Sequence, residues 1–163
     1  MIAPSDINIV LSQDIGFEDF TALHELLVSA FAYMDERIDP PSSLHRLNSE
    51  TLRDKAESEY LALAFKDEEL VGCLFACPRS AAWYVGKLAV RKDSRGLGIG
   101  VLLLETIQSV AVKCGCNALE VEVRVELVEN HRFFEKCGFI KCGENAHTGY
   151  DSSTSFTFRK SVN

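Results

Sequence analysis

The stretch Arg95-Gly96-Leu97-Gly98-Ile99-Gly100 decides the fold of this chain. It lies between an apolar run, Trp83–Val90, and a helical pattern that extends from Ile99 to about Cys114. Glycine lets a ligand approach the main chain closely, and the first amides of a helix have no intrahelical acceptor. Because the helix dipole adds partial positive charge at the same point, the stretch predicts a binding loop for a phosphate or pyrophosphate. The alternative is an ordinary glycine-rich turn that only starts a helix.

Two common nucleotide-binding motifs do not fit this stretch. A dinucleotide-binding turn needs G-x-G-x-x-G, and counting from Gly96 and Gly98 its third glycine would fall on Val101. A P-loop needs Gly-Lys followed by Ser or Thr, whereas Gly100 is followed by Val101 and Leu102. The glycine spacing therefore disfavours a nucleotide-binding oxidoreductase, and the pattern that remains is Arg-x-x-Gly-x-Gly.

A second segment supports a family resemblance. It reads Glu129-Asn130-His131-Arg132-Phe133-Phe134-Glu135-Lys136-Cys137-Gly138-Phe139. The first pattern resembles the acyl-CoA pyrophosphate loop of the GNAT superfamily of N-acetyltransferases, Gln/Arg-x-x-Gly-x-Gly/Ala. The second resembles that family's Asn…Phe-Tyr-Glu-Lys-x-Gly-Phe block, and the two segments stand in the family's order.

The order of predicted elements agrees with this resemblance over nearly the whole chain. Alternating and apolar runs predict seven strands, and helical spacing with capping residues predicts four helices. The strands cover residues 7–11, 60–65, 70–77, 83–90 and 118–127, a segment that opens at 138–139, and 153–159; the helices start at about 18 and cover about 50–58, 99–114 and 131–136. The resemblance implies one domain over residues 1–163, of the α/β (α+β) class, with a mixed and mostly antiparallel central sheet.

The composition fits one domain of this kind. The chain has 163 residues, of which 47% are hydrophobic, enough for a sizeable core. No run approaches the length of a membrane span, and the N-terminus lacks the regions of a signal peptide, so we expect a cytoplasmic protein without a membrane partner. The net charge of −7 argues against nonspecific nucleic-acid binding and suits a cationic acceptor such as an amine.

The six cysteines form no metal-ligand or redox pattern. The chain contains no C-x-x-C, and a disulfide framework would be unusual without a secretory signal. We expect reduced thiols in small core sites, and no metal.

The resemblance implies acetyl-CoA as the cosubstrate. In the family the fourth and fifth strands separate, and the pantetheine arm adds to the open strand edge like an extra strand. The implied binding residues are Leu88, Ala89, Val90, Arg95, Gly96, Leu97, Gly98, Ile99, Gly100, Val101, Asn130, Phe133, Phe134 and Lys136. Within this set Arg95 would close over the pyrophosphate. Asn130 could cap a helix or hydrogen-bond the pantetheine arm, and the family resemblance implies the second.

Position 134 departs from the family. The usual residue there is Tyr, thought to protonate the departing CoA thiolate, whereas Phe134 has no proton to donate. A free thiol titrates at about pH 8.5, so the thiolate is a tolerable leaving group and water could serve. The departure weakens the assignment of an acid and leaves CoA binding intact.

The fifth predicted strand has charged side chains at alternate positions, which share one face. These are Glu120, Glu122, Arg124 and Glu126. An interior strand covered on both faces should be apolar throughout, so this face opens either on a cleft or on water with cross-strand ion pairs. If this face opens on a cleft, Glu122 or Glu126 could take a proton from the attacking amine.

The fourth predicted strand has a different candidate role. A backbone amide of that strand near Ala89 would steady the oxyanion.

Two loops are candidates for contact with the acceptor. Residues 37–43 lie between the first two helices, where relatives in the family bind acceptors, and residues 146–150 join the last two strands. Loops carry specificity more often than core elements do, although each loop is equally an ordinary polar connection. The candidate substrate-binding residues are Arg37, Asp39, Ser42, His147 and Tyr150.

The sequence thus predicts an acetyl-CoA-dependent N-acetyltransferase that acts on a small-molecule or peptide amine, as a monomer or homodimer. A catalytically silent acyl-CoA-binding or regulatory module is the main alternative, and Phe134 motivates it. Family and fold alone do not fix function.

Overall fold

The computed structural model of the protein describes residues 6–163, and its centre is one seven-stranded sheet. The strands are β1 Ile7–Leu11, β2 Tyr60–Lys66, β3 Glu69–Pro78, β4 Trp83–Val90, β5 Ala118–Arg124, β6 Ile140–Asn145 and β7 Ser155–Ser161. They lie in the order β1-β2-β3-β4-β5-β7-β6, and each neighbouring pair is antiparallel except β4 with β5. The predicted fold class, a mixed and mostly antiparallel sheet of about seven strands, is confirmed.

Helices connect and cover the strands. Within residues 6–163 they are α1 Ser12–Ile15, α2 Phe20–Phe31, α3 Ser49–Ser58, α4 Ile99–Lys113 and α5 Val128–Lys136, with short 3-10 turns at Ala32–Met34, Ser43–Arg46 and Lys92–Ser94. The single turn of α1 was not predicted. α2 begins two residues later than predicted because the side chain of Asp19 caps it, accepting from the Ala22 amide at 3.1 Å. None of the helices in this part of the chain is long and apolar enough to cross a membrane.

The junction of β5 and α5 differs from the prediction. β5 ends at Arg124 rather than at Leu127, because the Leu127 amide donates to the Arg124 carbonyl at 3.1 Å and turns the chain. Glu126 is therefore in a turn and not on the strand, and α5 begins at Val128 instead of His131. β7 likewise starts and ends two residues later than predicted.

Each face of the sheet is covered by a different pair of helices. Along β3, Cys73 and Phe75 pack into a core shared with α2 and α3, whereas Leu74 and Ala76 pack into the core shared with α4 and α5. This alternation follows from the two-residue period of a strand. The sheet is thus buried on both sides at its centre, and its functional groups must lie where the packing opens.

Close packing of α4 depends on Gly72 in β3. A Cβ atom at this position would stand 3.0 Å from the Cγ2 atom of Ile99 and 3.1 Å from the Ala89 carbonyl oxygen. Only glycine leaves that space. The first turn of α4 therefore sits directly on the junction of β3 and β4, which fixes the glycine loop at the end of β4.

A β-bulge interrupts β4 at Lys87 and Leu88. Gly86 pairs with Phe75 and Ala89 pairs with Cys73, so two residues of β4 are opposite the single residue between those partners. Lys87 adopts a positive φ of 55°. A bulge of this kind re-aims side chains and bends the strand, and the regular strand predicted from the sequence does not include it.

β4 and β5 separate soon after they meet. Their parallel pairing consists of Trp83 with Leu119 and Tyr84 with Glu120. Beyond these two pairs the remaining residues of β4, through the bulge to Val90, have no partner on β5. The strand separation that the family resemblance implies is therefore present, and it leaves a cleft between the two halves of the sheet.

The position of α4 on the sheet leads to a stability prediction. Leu103 is fully buried, while Val101 on the same helix is 40% exposed. Leu103→Ala should lower the free energy of unfolding by about 2–5 kcal/mol because it leaves a cavity, and Val101→Ala should change it by about 0.5 kcal/mol or less. Urea unfolding followed by the fluorescence of Trp83, the single tryptophan, measures both. Equal losses for the two variants would contradict the packing described here.

Candidate active site

The glycine loop exposes its backbone at the start of α4. Gly96 and Gly98 have φ angles of +82° and +79°, and a Cβ atom built on either would meet nothing within 4 Å. Gly98 is the N-cap of α4, and no side chain caps the helix. The first amides of a helix have no intrahelical acceptor, so here they also have no capping side chain to accept from them. Ile99, which is only 1% exposed, anchors the loop in the core. The loop fits a phosphate group, which can reach these amides without meeting a side chain.

Basic residues beside the loop have protein partners. Arg95 donates to the carbonyls of Val90 at 3.4 Å and Ala30 at 3.1 Å, so its guanidinium lies against the end of α2 rather than over the loop. Arg91 bonds to Glu69 and Asp93, and the hydrogen bond from Arg91 holds the pKa of Asp93 below its ordinary value. The expected closure of Arg95 over a pyrophosphate is not the arrangement in this structure.

The second motif packs beside the glycine loop. A Cβ atom on Gly100 would stand 3.1 Å from the ring of Phe133. Phe134 is 6% exposed, and its ring lies 5.2 Å from that of Phe133 and 5.4 Å from that of Phe139 in edge-to-face contacts. Phe134 is thus both a core residue and part of the cleft lining. Lys136 is exposed in the last turn of α5.

Asn130 does not cap α5, and that alternative is wrong. The N-cap is Leu127, and Asn130 lies inside the helix. Its side-chain amide donates to the hydroxyl of Tyr33 at 3.4 Å, and the residue lines the cleft. Because Asn130 lines the cleft, its position is compatible with the contact to the pantetheine arm that the family resemblance implies.

The cleft has a volume of about 790 Å³ and brings together residues of the second motif and of both loops, while the first motif lies outside its lining. Of the predicted site residues, its lining contains Leu88, Glu122, Asn130, Phe134, Ser42, His147 and Tyr150. The predicted residues that lie outside the lining are Ala89, Val90, Arg95, Gly96, Leu97, Gly98, Ile99, Gly100, Val101, Phe133, Lys136, Glu126, Arg37 and Asp39. Ala89 is buried, and its amide contacts the Cys73 thiol. Of the neighbouring residues Leu88 and Ala89, it is therefore Leu88 that faces the cleft.

Hydrogen bonds and an ion pair of Arg37, Asp39 and Glu126 join the two candidate acceptor loops, residues 37–43 and 146–150, to the rest of the fold. Arg37 pairs with Glu129, which lowers the pKa of that carboxyl to about 2, and also donates to the Glu126 carbonyl at 3.0 Å. A carboxylate oxygen of Glu126 accepts from the Asp39 amide at 3.1 Å. The carboxylate of Asp39 accepts from the hydroxyl of Tyr150. These bonds tie residues 37–43 to residues 146–150 across the cleft.

The acids of β5 have separate roles. Glu120 pairs with Arg159 at 2.8 Å, so the cross-strand ion pair is the correct interpretation for this residue. Glu122 is exposed and lines the cleft. Across from it, burial first and the Glu122 carboxylate second raise the pKa of Tyr84, another lining residue. Glu122 is thus the acid of this strand that is free to meet a substrate.

Lys87 is a cleft residue that the sequence analysis missed. Its ammonium donates to the Ser43 hydroxyl at 2.8 Å. Burial, followed by the nearby charges of Lys55, Arg46 and Arg124, lowers its pKa. A lone charge within the apolar run Trp83–Val90 was the available signal, because strands covered on both faces rarely contain one.

Cys73 forms a hydrogen bond to the bulge in β4. Its thiol donates to the carbonyl of Lys87 at 3.4 Å, and burial raises the pKa of Cys73 to about 12, so the sulfur keeps its proton at physiological pH. The six cysteines are unpaired. Within residues 6–163, His, Cys, Asp and Glu side chains form no group able to hold a metal ion.

Comparisons with known proteins place this site in a family. The model of the acetyltransferase (GNAT) family matches residues 20–139. An uncharacterized N-acetyltransferase of Methanocaldococcus jannaschii is 35% identical over 74 residues, which are 45% of this chain and 47% of that protein, so the match spans about half the length of that relative.

Solved structures share the fold over nearly the full length. A GNAT family acetyltransferase from Staphylococcus aureus Mu50 aligns with a TM-score of 0.75 at 15% identity, over 96% of this chain and 99% of that one. A GNAT family acetyltransferase from Elizabethkingia anophelis with acetyl-CoA bound aligns with a TM-score of 0.68 at 18% identity, over 97% of this chain and 99% of that one. The family match, the fold and the paired motifs agree, and the chain belongs to the GNAT acetyltransferase family, whose members are acyltransferases.

Proposed function

We propose that this chain moves an acetyl group from acetyl-CoA to a primary amine by direct attack of the amine on the thioester. The observation that carries the proposal is the separation of β4 from β5 after two residue pairs, beside an uncapped glycine loop. The cleft that results offers strand edges on one side and an exposed carboxylate on the other. The relative from Elizabethkingia anophelis, which has acetyl-CoA bound, supports the choice of cosubstrate.

Acetyl-CoA would lie along β4 with its pyrophosphate at the glycine loop. The amides from Gly96 to Val101 would hold the pyrophosphate, since Gly96 and Gly98 present no side chain there. The open edge of β4 at Leu88 would hydrogen-bond the amides of the pantetheine arm. Asn130 and the ring of Phe134, both in the cleft lining, would contact the arm from α5.

Two groups of the protein would act on the reacting atoms. Glu122 would take the proton of the amine, directly or through water. An amide of the bulged segment, at Leu88 beside Ala89, would steady the oxyanion. CoA would leave as a thiolate, because Phe134 has no hydroxyl and a thiol titrates at about 8.5.

A second candidate function is an acyl-CoA-binding module without catalysis. Phe134 favours it, because this ring is packed among Phe133 and Phe139 and supplies no acid. A panel of amines with acetyl-CoA, read by release of free thiol, separates the two functions. Tight CoA binding without product from any amine would favour the silent module.

The first prediction from this proposal concerns the phosphate loop. Gly98→Ala should weaken acetyl-CoA binding at least tenfold, because its methyl group would occupy the space in which the pyrophosphate approaches. Gly115→Ala is the matched control, since Gly115 has a φ of +85° at the other end of α4 and open space around its Cβ position. Both substitutions strain the backbone by about 1 kcal/mol or more, and calorimetry on the folded variants then isolates the ligand effect. Equal affinity in the two variants would contradict the phosphate assignment.

The second prediction concerns the base. Glu122→Gln should lower turnover by about 10²-fold, a usual contribution of a general base, and flatten the acid side of the pH–rate profile while acetyl-CoA affinity stays unchanged. Glu120→Gln is the control on the same strand, because Glu120 is engaged by Arg159. Steady-state rates from pH 5 to 9 give both results. A parental rate and profile in Glu122→Gln would make this carboxylate structural and direct attention to Tyr84.

The third prediction concerns the leaving group. Phe134→Tyr should give turnover equal to or above the parental value, since the ring keeps its packing and gains a hydroxyl able to protonate the thiolate. Phe134→Ala should lower the free energy of unfolding by about 3–5 kcal/mol, because the ring is buried. Single-turnover kinetics and urea unfolding measure the two effects. Parental stability in Phe134→Ala would contradict the aromatic packing.

A further inference from the structure

The cleft is positively charged in a chain that is acidic overall. Four basic side chains belong to its lining: Arg46, Lys55, Lys87 and Arg124. The single carboxylate among the lining residues is Glu122, whereas the whole chain has a net charge of −7. The excess of acids therefore lies elsewhere on the surface, and the charge of the chain does not describe the charge of the cleft.

Three of these cations have no acid partner within residues 6–163. Lys55 pairs with Glu59 at 2.7 Å, but no salt bridge includes Arg46, Lys87 or Arg124. The Nη2 atom of Arg124 donates to the Pro41 carbonyl at 3.2 Å, while its Nη1 atom is buried without a hydrogen-bond partner. Lys87 is bonded to the neutral hydroxyl of Ser43.

Such an arrangement is costly for the protein alone. A buried guanidinium nitrogen without an acceptor loses its hydrogen bonds to water and forms none with the protein, which costs free energy. Burial first, and then the neighbouring charges of Lys55, Arg46 and Arg124, lower the pKa of Lys87, although Glu59 acts in the opposite direction. An anion placed among Arg46, Lys87 and Arg124 would accept hydrogen bonds and remove the repulsion.

An anion at this position would belong to the acceptor rather than to CoA. The proposed phosphate loop, residues 95–101, contributes nothing to the lining of the cleft. The cations come instead from the 3-10 turn Ser43–Arg46, the bulge of β4 and the end of β5. Lys87 bonds to that turn, on the side of the cleft that the acceptor loops border.

The cleft also limits the size of the acceptor. The Tyr150–Asp39 hydrogen bond joins the two loops across it, and the Arg37–Glu129 pair fixes one of them to α5. A volume of about 790 Å³ lies within the range of small-molecule sites, and the acyl end of the cosubstrate would share it.

On the basis of the proposed function, we infer that the acceptor is a small amine that carries a carboxylate, and that Arg124, Lys87 and Arg46 bind this carboxylate. The positive potential has a second effect on such a substrate. Nearby cations disfavour the ammonium form of an amine and so favour the neutral form that attacks the thioester. One cluster would thus orient the acceptor and promote its reactive state.

Matched acceptor pairs test the inference. Free amino acids and their carboxamides share the carbon skeleton and the primary amine but differ in the negative charge, and thiol release from acetyl-CoA measures both. Because the carboxylate also raises the pKa of the adjacent amine, rates are compared at equal concentrations of the neutral amine. We expect kcat/KM to be at least tenfold higher for the carboxylate member of the best pair. No preference within any pair, or preference for the carboxamides, would overturn the inference.

Variants locate the effect. Arg46→Gln and Arg124→Gln should each raise the KM of the carboxylate acceptor at least tenfold and leave the KM of acetyl-CoA within about twofold. Arg53→Gln on α3 is the charge control, because Arg53 is exposed and lies outside the cleft lining. A rise in the KM of acetyl-CoA instead would assign the cluster to the CoA phosphates and overturn the inference.

Direct binding separates failure of this inference from failure of the proposed function. If no amine releases thiol, calorimetry of N-acetyl amino acids and their carboxamides, in the presence of CoA, still reports on the cluster. Carboxylate-selective binding that Arg124→Gln abolishes supports the inference without catalysis. Absence of binding by every N-acetyl amino acid overturns it, whether or not acetyl transfer occurs.

Discussion

The structure depends on one constraint: β4 and β5 run parallel and pair through only two residues each before they separate. A parallel connection needs a crossover, and α4 supplies it, packed closely on the sheet because Gly72 has no side chain. The glycine loop must then stand at the end of β4, where the two strands are apart. The exposed backbone of the glycine loop, the open strand edge and the cleft are three results of the same geometry.

The bulge in β4 determines the chemistry of that cleft. It places Lys87 beside Ser43 and Leu88 toward the cleft, and the protonated thiol of Cys73 donates to the carbonyl of Lys87 within the bulge. With Arg46 and Arg124 nearby, the cleft acquires a charge opposite to that of the whole molecule. Net charge describes long-range behaviour such as solubility, whereas recognition follows from the few groups that share a pocket.

Local patterns in the sequence were sufficient for the order of most elements and for the glycine loop, and the family resemblance that they support supplied the fold. The spacing of Gly96 and Gly98 before an amphipathic helix is a short-range signal, and both glycines have the left-handed conformation that it requires. Lys87 was missed because a bulge depends on the register between β3 and β4, which is a long-range property. The start of α5 was predicted too late for a related reason, since the turn at Leu127 starts the helix earlier than the sequence pattern indicates.

The short β4–β5 seam has a thermodynamic consequence. β5, β6 and β7 are joined to the other four strands in the sheet through those two residue pairs alone. A cosubstrate bound along β4 and against α5 would hold the two halves together and would have no comparable site on the unfolded chain. At a hundred times its dissociation constant, such a ligand stabilises the native state by about 2.7 kcal/mol. With acetyl-CoA in that role, the concentration of the cosubstrate would affect the free energy of unfolding as well as the rate of the reaction.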